Sequence, residues 1–375
     1  MATKFRLFTK RFFVITNIIV VVFFLLACLG PYLNPEKWWF ITLLGFAFPF
    51  LLLILIIFGI WWLFIEKKVA LISAVSLLIG FKSISVFFAF HPGNGFTPEK
   101  KKNSIRIASW NVARFIELKK NNNKGSQTRL RMMEQLQEQN ADILCLQEFG
   151  TSTLPDYYNN IYHVTRRLGY PFFYFMYDLD GDGYYYSSAI FSRFPIVDSG
   201  SIRFPRPSSL DVLLFADIKI PNDTIRVYTT HLQSLQFNKD DYQMIDRIKS
   251  AGDSLLSNSR TIFSKLKRGI VNRSIQADII SKVMDDSPFP KVFCADMNDI
   301  PNSYTYFTVR GDMQDAFLKK GFGIGRTFSS ISPTLRIDYI FADENFRIDQ
   351  VKKVVKNYSD HYMLVSDLEI AKPRP

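Results

Sequence analysis

The chain has 375 residues, 48% of them hydrophobic, and a formal net charge of +12 at pH 7. A second part of near-ordinary composition, from about residue 98, is long enough to bury a core without staples, and three cysteines (Cys28, Cys145, Cys294) give no disulfide framework. The basic balance alone does not select a nucleic-acid partner. Lys4, Arg6, Lys10, Arg11, Lys67 and Lys68 border apolar segments, where positive flanks are expected.

Three apolar stretches come first: 12–30, 39–64 and 69–90. Each reaches the roughly 17–25 residues of a spanning helix, so residues 1–90 read as a membrane anchor with three transmembrane helices. Trp38, Trp39, Trp61 and Trp62 bracket the second, as interfacial aromatics do. The third carries Lys82, which must snorkel if the segment spans; an interfacial or re-entrant helix is its alternative. The basic head predicts a cytoplasmic N-terminus, so three spans place the C-terminal part outside the cytoplasm, on a multi-pass protein of the cell (inner) membrane. Leu25-Leu26-Ala27-Cys28 also resembles a lipoprotein cleavage site. Cleavage there would leave two spans and the same final side.

Residues 91–104 are a Gly-, Pro- and Lys-rich linker, and 105–372 the candidate catalytic domain. Strands are predicted over 105–111, 143–146, 172–177, 184–192, 212–220, 225–231, 292–295, 337–341 and 364–370. Helices are predicted over 129–140 and 240–285. Many strands with few helices between them predict two packed sheets with helices outside, an α/β class.

Five clusters at strand ends carry residue types suited to metal or phosphate chemistry. They are Ser109-Trp110-Asn111, Gln147-Glu148, Thr230-His231-Leu232, Asp296-Met297-Asn298 and Ser359-Asp360-His361, joined by Arg336-Ile337-Asp338-Tyr339-Ile340. Asp296 and Asn298 share one face of a strand by their spacing. A carboxylate at the mouth of a sheet, such as Glu148, suits a hard cation. Asp338, between apolar neighbours, needs a partner when buried, and a histidine serves. Two of the chain's four histidines, His231 and His361, lie in these clusters, and His is the usual proton carrier near neutral pH.

In this order the clusters resemble the endonuclease/exonuclease/phosphatase superfamily over about residues 105–370. The resemblance implies a four-layered αββα sandwich with the site between the upper edges of two sheets. It implies a metal site at Asn111, Glu148 and Asp360, holding Mg²⁺ or Mn²⁺ directly or through water. Asp338 would orient His361; His231 and His361 would contact the scissile phosphate. Asp296 would handle a proton, and Asn298 would position phosphate or nucleophile. The activity implied is hydrolysis of a phosphodiester or phosphomonoester by in-line water attack. Two departures stand out. Val112, Ala113 and Arg114 follow Asn111, where many relatives carry an acid, and 187–192 holds no acid to support His231.

Other features read as structural. Asp178, Asp180, Asp182 and Gly183 begin like a calcium loop, but Ala189 stands where its Glu belongs. Residues 258–273 pattern as a basic amphipathic helix, either packed on a sheet or facing an anionic surface. Arg193, Arg203 and Arg206 are candidate phosphate contacts or solvated surface, and Tyr184–Tyr186 a stacking platform or sheet packing. The substrate remains open between nucleic acid and a phospholipid or small molecule; a tethered binding or scaffold protein that has lost activity is the reading from another class.

Overall fold

The computed structural model describes residues 2–93, 95–121, 124–181, 183–205, 212–235 and 255–371. The chain opens with α1 (Ala2–Cys28) and α2 (Pro35–Ile65), each long and apolar enough to cross a membrane. The third apolar stretch differs from a plain span. It breaks into α3 (Lys67–Ile79) and α4 (Phe81–Phe87), bent by 66°. The break falls at Gly80, where a Cβ would lie 2.5 Å from the Phe24 ring. Only glycine lets α1 pass so close there. Ser73 donates to Asn17 Oδ1 at 3.1 Å, both buried, a polar tie of the kind that joins helices in lipid.

The remainder is built on two six-stranded sheets. The first runs β13 (Phe346–Val354), β14 (Met363–Ile370), β2 (Ile105–Asn111), β3 (Ile143–Ser152), β5 (Tyr184–Ser192), β4 (Phe172–Phe175). The second runs β10 (Gln314–Asp315), β12 (Asp338–Ala342), β9 (Lys291–Asp296), β8 (Asp223–His231), β7 (Val212–Ile220), β6 (Ile196–Arg203). A short strand β1 (Ala89–Phe90) pairs with β11 (Phe322–Gly323).

Strand alternation sorts the core. Ile107, Cys145, Leu214, Val227, Cys294 and Ile340 face inward and fill the space between the sheets. Ala108, Trp110, Leu144 and Leu146 face outward under α5 (Thr128–Glu138). Tyr228, Phe293 and Phe341 face outward under α6 (Leu255–Asp285) and α7 (Tyr304–Arg310). The result is helix, sheet, sheet, helix, the layering expected. Among the described residues five strands escape sequence reading: the two-residue β1, β10 and β11, and the longer β6 and β13. The longer two are edges, and edges carry charge to resist pairing; β13 reads FRIDQVKKV with a bulge at Ile348/Gln350. The helix pattern at 240–254 lies outside the described residues.

The anchor and the sandwich are joined by buried polar contacts. Arg336 donates to Asp315 Oδ2 and to the Val86 carbonyl, both at 2.6 Å. Asn302 Nδ2 donates to the Ala27 carbonyl at 3.1 Å. Lys82 lies over the rings of Tyr32 and of Phe307 in α7, so it faces the sandwich. The linker is pinned too: Arg106 donates to the Pro98 carbonyl at 2.9 Å, and Lys100 pairs with Asp142 at 2.6 Å. Arg336→Ala would leave the buried Asp315 carboxylate, still bonded by Tyr306 and two amides, without its cationic partner, which costs about 3 kcal/mol. Thermal unfolding of the full chain in detergent should fall sharply, and Asp315→Asn added to Arg336→Met should recover part of the loss.

Candidate active site

The site forms where the inner-facing ends of both sheets meet. Asn111 ends β2 and pairs in register with Gln147 of β3; His231 ends β8 beside Asp296 of β9; Asp338 opens β12 opposite Asp296. Glu148 follows Gln147 inside a bulge between Leu146 and Phe149. Its φ of +50° turns the carboxylate out of the strand's alternation. Asn298 also adopts a positive φ, +49°. Left-handed backbone at a non-glycine is strained and tends to gather at functional sites.

The side chains converge. Asn111 Nδ2 donates to Asp296 Oδ2 at 2.9 Å and to Glu148 Oε1 at 3.2 Å. His231 Nε2 lies 3.0 Å from Asn298 Nδ2 and 3.5 Å from both Glu148 Oε1 and Asp296 Oδ2. His361 Nε2 lies 3.5 Å from the same Asp296 oxygen, and both Asp338 oxygens sit 3.0 Å from His361 Nδ1. Seven of the eight candidates thus share one cluster. The eighth, Asp360, has an exposed side chain 3.3 Å from Ser359 Oγ. The Ser359 hydroxyl donates to the Asn111 carbonyl at 2.9 Å and accepts from the His361 amide at 3.1 Å, and the Asp360 charge acts on His361.

Burial sets the electrostatics. Desolvation pushes the Asp296 carboxyl up; His361 and His231 pull it down and Asp338 adds to the rise. Burial would depress His361, but Asp338 and Asp296 outweigh it and push the imidazole up to about 10. An imidazolium held against Asp338 presents Nε2–H to the site at neutral pH.

Three carboxylates, Glu148, Asp296 and Asp338, meet two histidines here. Such a donor set fits a divalent cation. The most compact His/acid group is Asp296, Asp338 and His361, with ligand atoms within 4.8 Å of one another. Asp338 and His361 are already committed to each other, however, and Mg²⁺ prefers oxygen ligands. Glu148, half-buried and set beside the Asn111 amide and His231, fits a cation better.

A family model described as the Endonuclease/Exonuclease/phosphatase family matches residues 108–361. The chain belongs to this family. A second model, described only as a domain of unknown function, matches residues 10–87. No curated protein matches the chain. Among solved structures, an endonuclease/exonuclease/phosphatase from Beutenbergia cavernae aligns with a TM-score of 0.51 and 18% identity, covering 72% of each chain. A humanized TDP2 from D. rerio gives 0.50 and 18% identity over 72% of this chain and 100% of its own. At these identities the likeness is one of fold.

Within this family frame, three residues support the site from behind, of which only Thr327 had no sequence signal. Thr327 Oγ1 accepts from the amides of Ile337 and Asp338 at 2.9 and 3.1 Å, fixing the start of β12. Trp110 Nε1 donates to the His361 carbonyl at 2.9 Å. Gln147 Nε2 crosses between the sheets to Thr229 Oγ1 at 3.0 Å. No short motif announces Thr327, because its partners lie ten residues on. Ser187 and Ser188 of β5 are buried; Glu148 and Asp296 reach His231 at Nε2.

Two of the arginine candidates, Arg203 and Arg193, pair elsewhere. Arg203 pairs with Asp178, and Arg114 pairs with Asp180 at 2.6 Å. Arg193 donates to Asn140 Oδ1 at 2.5 Å. Asp182 and Arg206 lie outside the described residues. Tyr184 is buried as sheet packing, while Arg114 stacks on Tyr186 at 4.3 Å.

His361 supplies a pH signature. Its raised folded-state pKa means that its contribution to stability is whole below the unfolded value of 6.5 and disappears as pH rises toward about 10. The difference in melting temperature between wild type and His361→Gln should therefore shrink from pH 6.5 to 10. A difference that grew would show that the imidazole is not held charged.

Proposed function

We propose that the chain is a membrane-anchored, metal-dependent phosphoesterase that cleaves a phosphodiester or phosphomonoester by in-line attack of water. The supporting observation is the convergence of Asn111, Glu148, His231, Asp296, Asn298, Asp338 and His361 at one junction of two sheets. Glu148, Asn111 and Asp360 are the candidate ligands of Mg²⁺ or Mn²⁺. A bound ion supplies Lewis-acid neutralisation of the phosphate and orients it.

The remaining work falls to the chain's own groups. Asp338 fixes the His361 ring, so that charged Nε2–H points at a phosphate oxygen and stabilises charge that develops there. Asn298 donates to the Leu232 carbonyl at 3.0 Å, which fixes its amide beside His231 to position the phosphate. Asp296, with its carboxyl pushed up by burial, accepts the proton of the attacking water or returns one to the leaving oxygen.

The same reading sets the topology. Lys10 pairs with Glu66 at 2.7 Å at one end of α1 and α2, whereas Ala27 at the other end of α1 meets the sandwich. The basic N-terminus and the catalytic domain then lie on opposite sides of the membrane, the domain outside the cytoplasm.

With bis(p-nitrophenyl) phosphate and Mg²⁺ or Mn²⁺, the full chain should turn over substrate, and chelator should stop it. Glu148→Ala should abolish turnover; ordinary activity in that variant would sink the metal assignment. His361→Ala should lose about 10²- to 10⁴-fold in kcat. Protease added outside sealed cells should degrade the catalytic domain, and full protection would overturn the topology.

A further inference from the structure

We propose that the substrate is a membrane lipid, with one hydrocarbon chain in a groove between α2 and the sandwich and its phosphate ester at the His231–Asp296–His361 cluster. This rests on the phosphoesterase reading above and adds to it the class of substrate.

The groove is apolar and encloses about 440 Å³, within the roughly 300–1,000 Å³ of ligand pockets. One wall is α2, through Phe46 and Pro49; a second is α6, through Phe263 and Leu266. The third wall is made by loops that leave the active-site strands: Leu235, Ile300 and Leu335 line it. Leu235 follows His231 by four residues, Ile300 follows Asn298 by two, and Leu335 precedes Asp338 by three. Three of the segments that carry the chemistry therefore also build the groove.

Arg273 of α6 holds two of them together. Fully buried, it reaches Asp299 Oδ2 at 3.3 Å and the Gln233 carbonyl at 3.0 Å. The groove and the catalytic strand ends are parts of one frame.

The length of α2 places the groove at the membrane boundary. Past the non-helical Trp38, the stretch Trp39–Ile65 runs on for about 40 Å, against about 30 Å of hydrocarbon. The surplus stands beside the sandwich. At Gly45 a Cβ would lie 3.2 Å from Ile300 Cδ1 and 3.3 Å from the Asn302 carbonyl; glycine lets the active-site loop lean on the helix. From Phe46 to Ile65 enough residues remain to span. The groove thus opens where the hydrocarbon begins. Above it, Lys267 of α6 lies over the Trp39 ring. That is a cation at the interface over an apolar slot, the complement of an anionic lipid surface around a hydrocarbon chain. A nucleic acid would leave the slot unfilled.

The test uses the full chain in lipid nanodiscs with Mg²⁺ or Mn²⁺ and two chromogenic esters that share one scissile bond, methyl and hexadecyl p-nitrophenyl phosphate. The hexadecyl ester should be preferred about tenfold or more in kcat/KM, chiefly through KM, because each buried methylene adds to binding. The hexadecyl-to-methyl ratio should collapse in Phe263→Ser/Leu266→Ser, which opens the α6 wall, and in Ser332→Trp, which fills the groove from the loop side. Partitioning into the disc is common to all three proteins, so the change in ratio reports the groove. Equal turnover of both esters by wild type, or a preference that survives both variants, overturns the lipid proposal and leaves the phosphoesterase standing. Turnover of neither ester removes both.

Discussion

One hydrogen bond carries the architecture of the site: Asn111 Nδ2, at the end of the first sheet, donates to Asp296 Oδ2, at the end of the second, at 2.9 Å. Asp296 is fully buried, and both histidines approach the same oxygen at 3.5 Å. A buried carboxylate of this kind is costly unless donors and cations surround it. The sheets must therefore meet at this height, and every other site residue is placed by register from the two strands so joined. His231 and Asp338 flank Asp296 on β8 and β12, and Gln147 with its neighbour Glu148 flanks Asn111 on β3. The shared demand of one carboxylate explains why the cluster sits at strand ends: only there do two inner faces open enough to admit water and phosphate.

Much of this was legible from the chain alone, for definite reasons. The strands that carry the site are central ones, with alternating or continuous apolar runs, and β2, β5 and β7 begin and end where the pattern places them. The pairing of Asp338 with His361 followed from the resemblance and from the need of a buried acid for a partner. The edge strands β6 and β13 were not legible, because charge erases their periodicity, whereas the apolar edge β4 was. The Glu148 bulge was not legible either: a strand ending at Leu146 looks complete, and the continuation to Ser152 depends on β5 to pair with it. Asp360 marks another limit. Its neighbours fix it in the sequence motif, but a side chain at the rim is set by loop geometry that no short pattern encodes.

The break in the third apolar stretch has the same character. Hydropathy counts residues, and residues 69–90 count as a span. At the bend, Gly80 packs against the Phe24 ring, more than fifty residues away in the chain. Lys82, which composition marks as a blemish on a membrane helix, lies over Tyr32 and over Phe307 of the sandwich. The residue that weakens the span is one that docks it to the catalytic domain.

The basic helix resolves its two sequence readings by dividing them among its residues. Arg273, counted with the exposed cations by spacing, is withdrawn from the surface to brace the loops after His231 and Asn298. Lys267, six residues earlier, stacks on Trp39 of the anchor. One helix thus touches the active-site loops at one point and the membrane helix at another. Removing the anchor would not merely release a soluble enzyme, because α2 forms one side of the groove that those loops line and Val86 accepts a hydrogen bond from Arg336, two residues before Asp338. The N-terminal helices thus form part of the wall around the loops that carry the candidate site.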